Sequence, residues 1–210
     1  MRVMRQINVI AFTALLVLLG AGCFASTSNS TIQTPDRTDG YTTNLTPISD
    51  TTFMTYAAPT ILPNDQIEKK YAHIRTEKGE IVIELYADTA PLTVSNFVSL
   101  TQQGFYNGLT FHRREEGFVI QGGDPNGNGT GGPGYTFADE LNDNRTYSRG
   151  IVAMANRGAN TNGSQFFVML DDVALPKQYS IFGAVVKGMD IVDQIRIGDA
   201  MTEVTIEDKQ

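Results

Sequence analysis

The sequence predicts a mainly β domain over residues 68–210, folded as a closed or nearly closed antiparallel barrel of about eight short strands. Three observations predict it. β-rich runs of a few residues recur along this stretch, only two segments carry helical spacing, and the long gaps between them are rich in glycine. Residues 71–77 and 80–86 flank Lys78-Gly79, which reads as a hairpin. Thr89-Ala90-Pro91 then starts a helix, with Thr89 as N-cap and proline in the first turn. Val94, Phe97, Val98, Thr101 and Phe105 share one face of that helix and read as core; Gly104 offers the stop. Strands are expected at 109–113, 118–122, 150–155, 165–170 and 181–186. A second short helix fits 189–195, and 201–207 closes the chain as a strand.

The residues upstream have a different character. Residues 1–22 begin with Arg2 and Arg5 and continue into an almost wholly apolar run, VIAFTALLVLLGAG. A basic start, a short apolar stretch and small residues at its end make a secretory signal peptide. The run is short of the roughly 20 apolar residues that a membrane span needs. Cys23 follows Leu19-Gly20-Ala21-Gly22, which is similar to a lipoprotein processing site with Gly20 where leucine is usual. That similarity implies lipidation of Cys23 and exposure of the chain on the outer face of the cytoplasmic membrane or in the cell envelope. An uncleaved anchor helix, or ordinary cleavage after Ala25, are the alternatives. Residues 23–67 complete this region. From Ser26 to about Pro63 they are rich in Thr, Ser, Asn and Pro, lack apolar periodicity and read as a flexible spacer.

Composition narrows the chemistry. The chain has 210 residues, a formal net charge of -7 and a pI near 4.8. A nucleic-acid groove would need a basic face, so that class is set aside. Cys23 is the one cysteine, which leaves no intrachain disulfide, and His73 and His112 are the two histidines. A zinc site of the usual Cys/His kind does not fit, and no cofactor is expected. The domain carries no cysteine nucleophile and no Gly-x-Ser-x-Gly elbow, so any catalysis should proceed without covalent or metal chemistry. Gly127-x-Gly129-x-x-Gly132 matches a dinucleotide fingerprint in spacing alone. Pro133-Gly134 follows where that fingerprint requires a helix.

Two further segments stand out. In Phe111-His-Arg-Arg-Glu-Glu-Gly-Phe-Val-Ile-Gln-Gly-Gly-Asp124, Arg113 and Arg114 point to opposite faces if extended. Phe118, Ile120 and Gly122 then share one face, Val119 and Gln121 the other. The segment Met154-Ala-Asn-Arg-Gly-Ala-Asn-Thr-Asn-Gly-Ser-Gln-Phe-Phe-Val168 is rich in small and amide residues that suit pairing with a peptide backbone. Phe166 and Phe167 alternate, one toward the core and one toward a surface. Taken singly, Arg113 reads as a solvated or salt-bridged arginine and the phenylalanines as core.

Together, Phe111-His-Arg113, Gly117-Phe118, Gln121-Gly-Gly-Asp124, Gly129-Thr-Gly-Gly132, Met154-Ala-Asn156 and Asn162-Gly-Ser-Gln-Phe-Phe167 resemble the cyclophilin signature in order and spacing. The resemblance covers nearly all of residues 71–207. It implies a peptidyl-prolyl cis/trans isomerase: an eight-stranded barrel capped by two helices, with a groove for proline-containing polypeptides on its outer surface. Position by position, Arg113 falls on the family's catalytic arginine and Gln121 on the glutamine that braces it. Phe118, Phe167, Leu175 and Phe182 fall on the proline pocket, with Val119 where methionine is common and Tyr179 where many members have histidine. Ala155, Asn156 and Gln165 fall on positions that contact substrate backbone. Ala174 stands where well-known members have a tryptophan that helps bind cyclosporin, which implies weak inhibition by that compound. The run Arg114-Glu115-Glu116 makes the adjoining loop unusually charged. A holdase that grips proline-containing chains without turnover and an inert surface scaffold are the rival functions. A monomer is the expected state.

Overall fold

The computed structural model describes residues 56–209. The expected signal peptide, Cys23 and most of the expected spacer lie outside the described residues. No helix among the described residues is long and apolar enough to cross a membrane.

Eleven elements follow in order: α1 (Asn64–Ile67), β1 (Lys70–Thr76), β2 (Gly79–Leu85), α2 (Pro91–Gln102), β3 (Arg113–Glu115), β4 (Val119–Gly122), β5 (Ile151–Met154), β6 (Phe166–Met169), β7 (Ile181–Lys187), α3 (Met189–Gln194) and β8 (Glu203–Asp208). The eight strands form one antiparallel sheet in the order β3-β4-β6-β5-β7-β2-β1-β8. The hairpin expected around Lys78-Gly79 pairs Thr76 with Gly79. The Thr76 hydroxyl closes the turn, accepting from the Lys78 N–H at 3.1 Å and donating to the Gly79 carbonyl at 2.9 Å.

The sheet does not close. Its end strands, β3 and β8, are not paired with each other, so the expected closed barrel is a half-barrel. The segments leading into those strands meet instead at an isolated bridge, Thr110 with Ala200. There the Gly108 N–H donates to the Met201 carbonyl at 2.8 Å and the Phe111 N–H to the Asp199 carbonyl at 2.9 Å. Those backbone groups are thereby spent outside the ladder. The strand expected at 109–113 is reduced to this bridge, and β3 begins only at Arg113.

Alternation along the strands divides the apolar side chains between two clusters. Ile74, Ile83, Phe97, Ile120, Phe166 and Phe182 belong to the larger one, together with the buried face of α2. Val119, Ile151, Ala153, Phe167, Met169 and Ile181 belong to a smaller one on the other face. Phe166 and Phe167 therefore separate as the alternation requires. The aromatic centre of the larger cluster stacks Phe97 on Tyr106 at 4.9 Å and sets Phe97 edge-on to Phe166 at 5.7 Å.

Helix α2 carries the expected stripe, but its N-terminus is capped differently from the expectation. Thr89 does not cap it; the Thr89 hydroxyl donates to Asp143 at 2.9 Å, and Ala90 occupies the N-cap. The free N–H groups of Leu92 and Thr93 are met by the Glu140 carboxylate at 3.0 and 2.7 Å, and the Thr93 hydroxyl donates to it as well. A carboxylate here satisfies orphan donors and complements the positive end of the helix dipole. At the other end Gly104 adopts φ +71°, and the Phe105 N–H reaches back to the Leu100 carbonyl at 3.0 Å. That is a left-handed terminator of the kind glycine supplies.

The ordered domain extends upstream of the expected boundary at residue 68. Ile67 is 2% exposed, the Leu62 N–H donates to Ser95 Oγ on α2 at 2.9 Å, and Tyr56 meets Phe105 edge-on at 4.9 Å. Apolar side chains spaced this sparsely give no periodic signal, yet Tyr56, Leu62 and Ile67 all pack with the larger cluster.

Candidate active site

The site grows from the β3–β4 hairpin. Arg113 pairs with Gln121 and Glu115 with Val119, so these four residues stand on one side of the hairpin. The Arg113 Nη1 donates to Gln121 Oε1 at 3.0 Å. Gln121 Nε2 donates in turn to Gln165 Oε1 at 2.9 Å. Gln165 Nε2 donates to the carbonyls of Gly129 and Gly131 at 3.1 and 2.9 Å. A relay of amides thus runs from the guanidinium to the glycine-rich loop. Each amide both accepts and donates, which fixes its orientation.

That loop has its own anchor. The Asp124 carboxylate accepts the N–H groups of Asn126, at 2.8 Å, Asn128, at 3.0 Å, and Gly129. Burial pushes the Asp124 carboxyl up, but these three bonds outweigh burial and hold it below the usual aspartate range. A side chain on Gly131 would collide with Asp124 Oδ1, which is why glycine stands there.

Arg114 faces the other way and ties the edge strand down. Its side chain is only 10% exposed, and its Nη1 donates to the Ile195 carbonyl at 3.1 Å and, at 3.4 Å, to that of Val192, at the C-terminus of α3. Cations suit the free carbonyls at a helix C-terminus. β3 has one ladder neighbour, β4, and this contact adds a tie from β3 to α3.

A cleft of about 430 Å³ opens beside Arg113, on the side of the smaller apolar cluster. Arg113, Phe118, Val119, Gln121, Phe167, Leu175 and Tyr179 line it, with Ala155 and Asn156 at one margin. Phe167 and Tyr179 meet edge-on at 5.4 Å, forming an aromatic wall. The Arg113 guanidinium carbon lies 5.7 Å from the centre of the Phe118 ring. His112 also lines the cleft, which sequence reasoning did not single out; the FHR run was its only signal. Neither of its ring nitrogens has a hydrogen-bond partner among the described residues, and burial pushes its pKa down.

Three sequence-predicted positions differ from expectation. Phe182 is not in the cleft: it is fully buried in the larger core cluster, 5.4 Å from Phe97, while its neighbour Ile181 faces the other cluster. Phe118 does not share the face of Ile120. It precedes β4, after Gly117 at φ +68°, and that turn swings its ring to the cleft side. Gln165 is 9% exposed and lines a neighbouring depression of about 590 Å³ rather than the cleft, with its amide engaged in the relay. The Asn156 side chain donates to the Gln178 carbonyl at 2.8 Å. Among the described residues no group of three or more His, Cys, Asp or Glu is placed to hold a metal ion.

The described residues thus combine a half-barrel, an apolar cleft on its outer surface and a braced arginine at the rim. Residues 71–209 match the family described as cyclophilin type peptidyl-prolyl cis-trans isomerase/CLD. A peptidyl-prolyl cis-trans isomerase of Helicobacter pylori is 46% identical over 138 residues, spanning 64% of this chain and 85% of that protein. Peptidyl-prolyl cis-trans isomerase B of Bacillus subtilis is 46% identical over 141 residues, 66% of this chain and 99% of that one. Among solved structures, a Cryptosporidium parvum cyclophilin superposes with a TM-score of 0.63 at 32% identity, covering 67% of this chain and 99% of its own. A second structure of that cyclophilin was determined in the presence of the dipeptide Ala-Pro. The chain belongs to the cyclophilin family and is an enzyme of the peptidyl-prolyl cis-trans isomerase class.

Proposed function

We propose that this enzyme accelerates isomerisation of Xaa-Pro bonds in exported polypeptides, assisting their folding from the outer face of the membrane, and that Arg113 is its catalytic donor. The observation that carries the catalytic reading is Arg113 held by Gln121 at the rim of an apolar cleft that the rings of Phe118 and Phe167 help to line. Resonance gives the peptide bond a rotation barrier of ~18–20 kcal/mol. At the twisted transition state the proline nitrogen loses conjugation and recovers a lone pair. An arginine N–H donates to that lone pair, which the planar ground state offers poorly, so the stabilisation is selective for the transition state. Arginine suits the task because it stays protonated and carries several donors. Phe118, Val119, Phe167, Leu175 and Tyr179 hold the proline ring while the preceding carbonyl turns. Ala155 and Asn156 offer backbone to the substrate. Gln121 and Gln165 keep the guanidinium and the glycine-rich loop in register. No proton is transferred and no covalent intermediate forms. The Ala-Pro dipeptide used with the Cryptosporidium cyclophilin supports proline-containing peptides as substrates here.

Exchange spectroscopy on an Ala-Pro peptide with the full chain in detergent tests this reading. Wild type should speed exchange, and Arg113→Ala should lose most of the effect. An Arg113→Ala variant as fast as wild type would refute the assigned role. The export reading rests on the apolar run at residues 9–22 and on Cys23 directly after it. Lipidation predicts a mature protein that partitions with membranes and carries added lipid mass, both lost in Cys23→Ser. A Cys23→Ser protein still membrane-bound and unchanged in mass would exclude it.

A further inference from the structure

We infer that Glu115 is a positioning residue for Arg113. This inference rests on the catalytic role proposed for that arginine. The run Arg113-Arg114-Glu115-Glu116 splits into two ion pairs, each between residues two apart: Arg113 with Glu115 on one side of β3, and Arg114 with Glu116 just past the strand. Glu116 serves Arg114, accepting from its Nε at 2.8 Å and its Nη2 at 2.9 Å on the α3 side. Glu115 serves Arg113 on the cleft side, where its Oε1 accepts from Nε at 3.1 Å and Nη2 at 2.6 Å.

The guanidinium is thus gripped at two places. Gln121 takes Nη1, and Glu115 takes the Nε/Nη2 edge. Of an arginine's five N–H groups, three are occupied and two remain for substrate. The second grip is needed because Arg113 sits on a three-residue edge strand with 42% of its side chain exposed. A single bond to Gln121 would leave the guanidinium free to swing about it. Displacement of a catalytic group by about 1 Å can cost ~100-fold in rate.

Charge is not the reason for the pair. Arginine stays protonated without help. A neighbouring carboxylate also weakens the cation's field at the reacting nitrogen. That opposing effect is small because Glu115 is 51% exposed and water screens it. Orientation therefore outweighs attenuation.

The experiment compares the full chain in detergent as wild type, Glu115→Ala, Glu115→Gln and Arg113→Ala. It reads kcat/KM on an Ala-Pro peptide, the Nε–H resonance of Arg113 by nitrogen-15 NMR, and the melting temperature. Glu115→Ala should lower kcat/KM about fivefold, as loss of one exposed ion pair allows. It should also shift and broaden the Arg113 Nε–H signal, with melting moved by no more than a few degrees. Glu115→Gln keeps an oxygen acceptor and should fall between the two. An unchanged rate overturns the inference. So does a faster Glu115→Ala enzyme, which would show that Glu115 withholds Arg113 from substrate. A slower enzyme with an unaltered Arg113 signal overturns it too, because Glu115 would then act by another route. If Arg113→Ala is as active as wild type, the catalytic reading itself has failed, a result distinct from failure of Glu115 alone.

Discussion

Replacing Gln165 by leucine tests the amide relay at its middle. Leucine fills nearly the same space, so the local packing stays and only the hydrogen bonds go. Three are lost: the one accepted from Gln121 and the two donated to Gly129 and Gly131. The glycine carbonyls are partly exposed and can turn to water, but Gln121 Nε2 loses its partner in a half-buried place. An unsatisfied buried donor costs about 1–3 kcal/mol, so a net loss of ~2 kcal/mol is expected. For a domain of this size each kcal/mol moves the melting temperature by roughly 2–4 °C, giving a drop of about 4–8 °C. The enzyme would remain folded at 25 °C, yet Gln121 would be free to rotate away from Arg113. We expect kcat/KM to fall about tenfold, since misplacement of a catalytic donor costs rate steeply. Calorimetry and exchange spectroscopy on the same samples separate the two effects. Unchanged kcat/KM beside a lowered melting temperature would show that the relay holds the loop but does not orient Arg113. An unchanged melting temperature would refute the energetic reasoning.

Three other outcomes follow from the geometry. Glu140→Ala should cost about 1–2 kcal/mol by uncapping α2, seen as a lower urea midpoint, while kcat/KM of the folded enzyme stays the same. Phe182→Ala should cost ~3–5 kcal/mol as a core truncation with little effect on kcat/KM of the folded enzyme, whereas Phe167→Ala, buried in the smaller cluster and lining the cleft, should lower both stability and kcat/KM; equal effects on activity would contradict their separation. Asp124 is held below its ordinary pKa in the folded protein. Its contribution to stability is therefore present above the unfolded pKa of about 3.9 and is lost as pH falls toward the folded value. Urea titrations from about pH 6 to about pH 2.5 should show a shallower acid loss in Asp124→Asn; parallel curves would exclude the role.

What the sequence revealed and what it hid follow a physical divide. The hairpin at Lys78-Gly79 and the stripe on α2 are local patterns, and both stand where periodicity put them. The capping of α2 is not local, because Glu140 lies 47 residues or more from the N–H groups it meets. Thr89 offered the stronger local signal and lost to it. Sheet closure likewise depends on how residues 108–111 and 198–201 spend their backbone groups on each other. In β7, Ile181 and Phe182 are both apolar and both buried, one in each cluster, so alternation of polarity cannot say which faces the cleft. Phe118 misleads in another way: it lies between Gly117, whose positive φ breaks the alternation, and the start of β4 at Val119. In the sequence Glu115 is legible only as part of a charged run. Its pairing with Arg113 needed the strand direction as well as the spacing.

The open ladder has a bearing on the company this enzyme keeps. Proline-containing chains that await isomerisation are extended and rich in unpaired backbone groups. A sheet with long, flat, apolar rims would invite them to add as further strands and stay. Here the rim beside the cleft is three residues long and wholly charged, Arg113-Arg114-Glu115. The far rim, β8, carries Glu203, Glu207 and Asp208. Short and charged borders discourage strand addition. The borders of the unfinished barrel are therefore poor templates for an added strand, where long apolar ones would have made it a seed for aggregates.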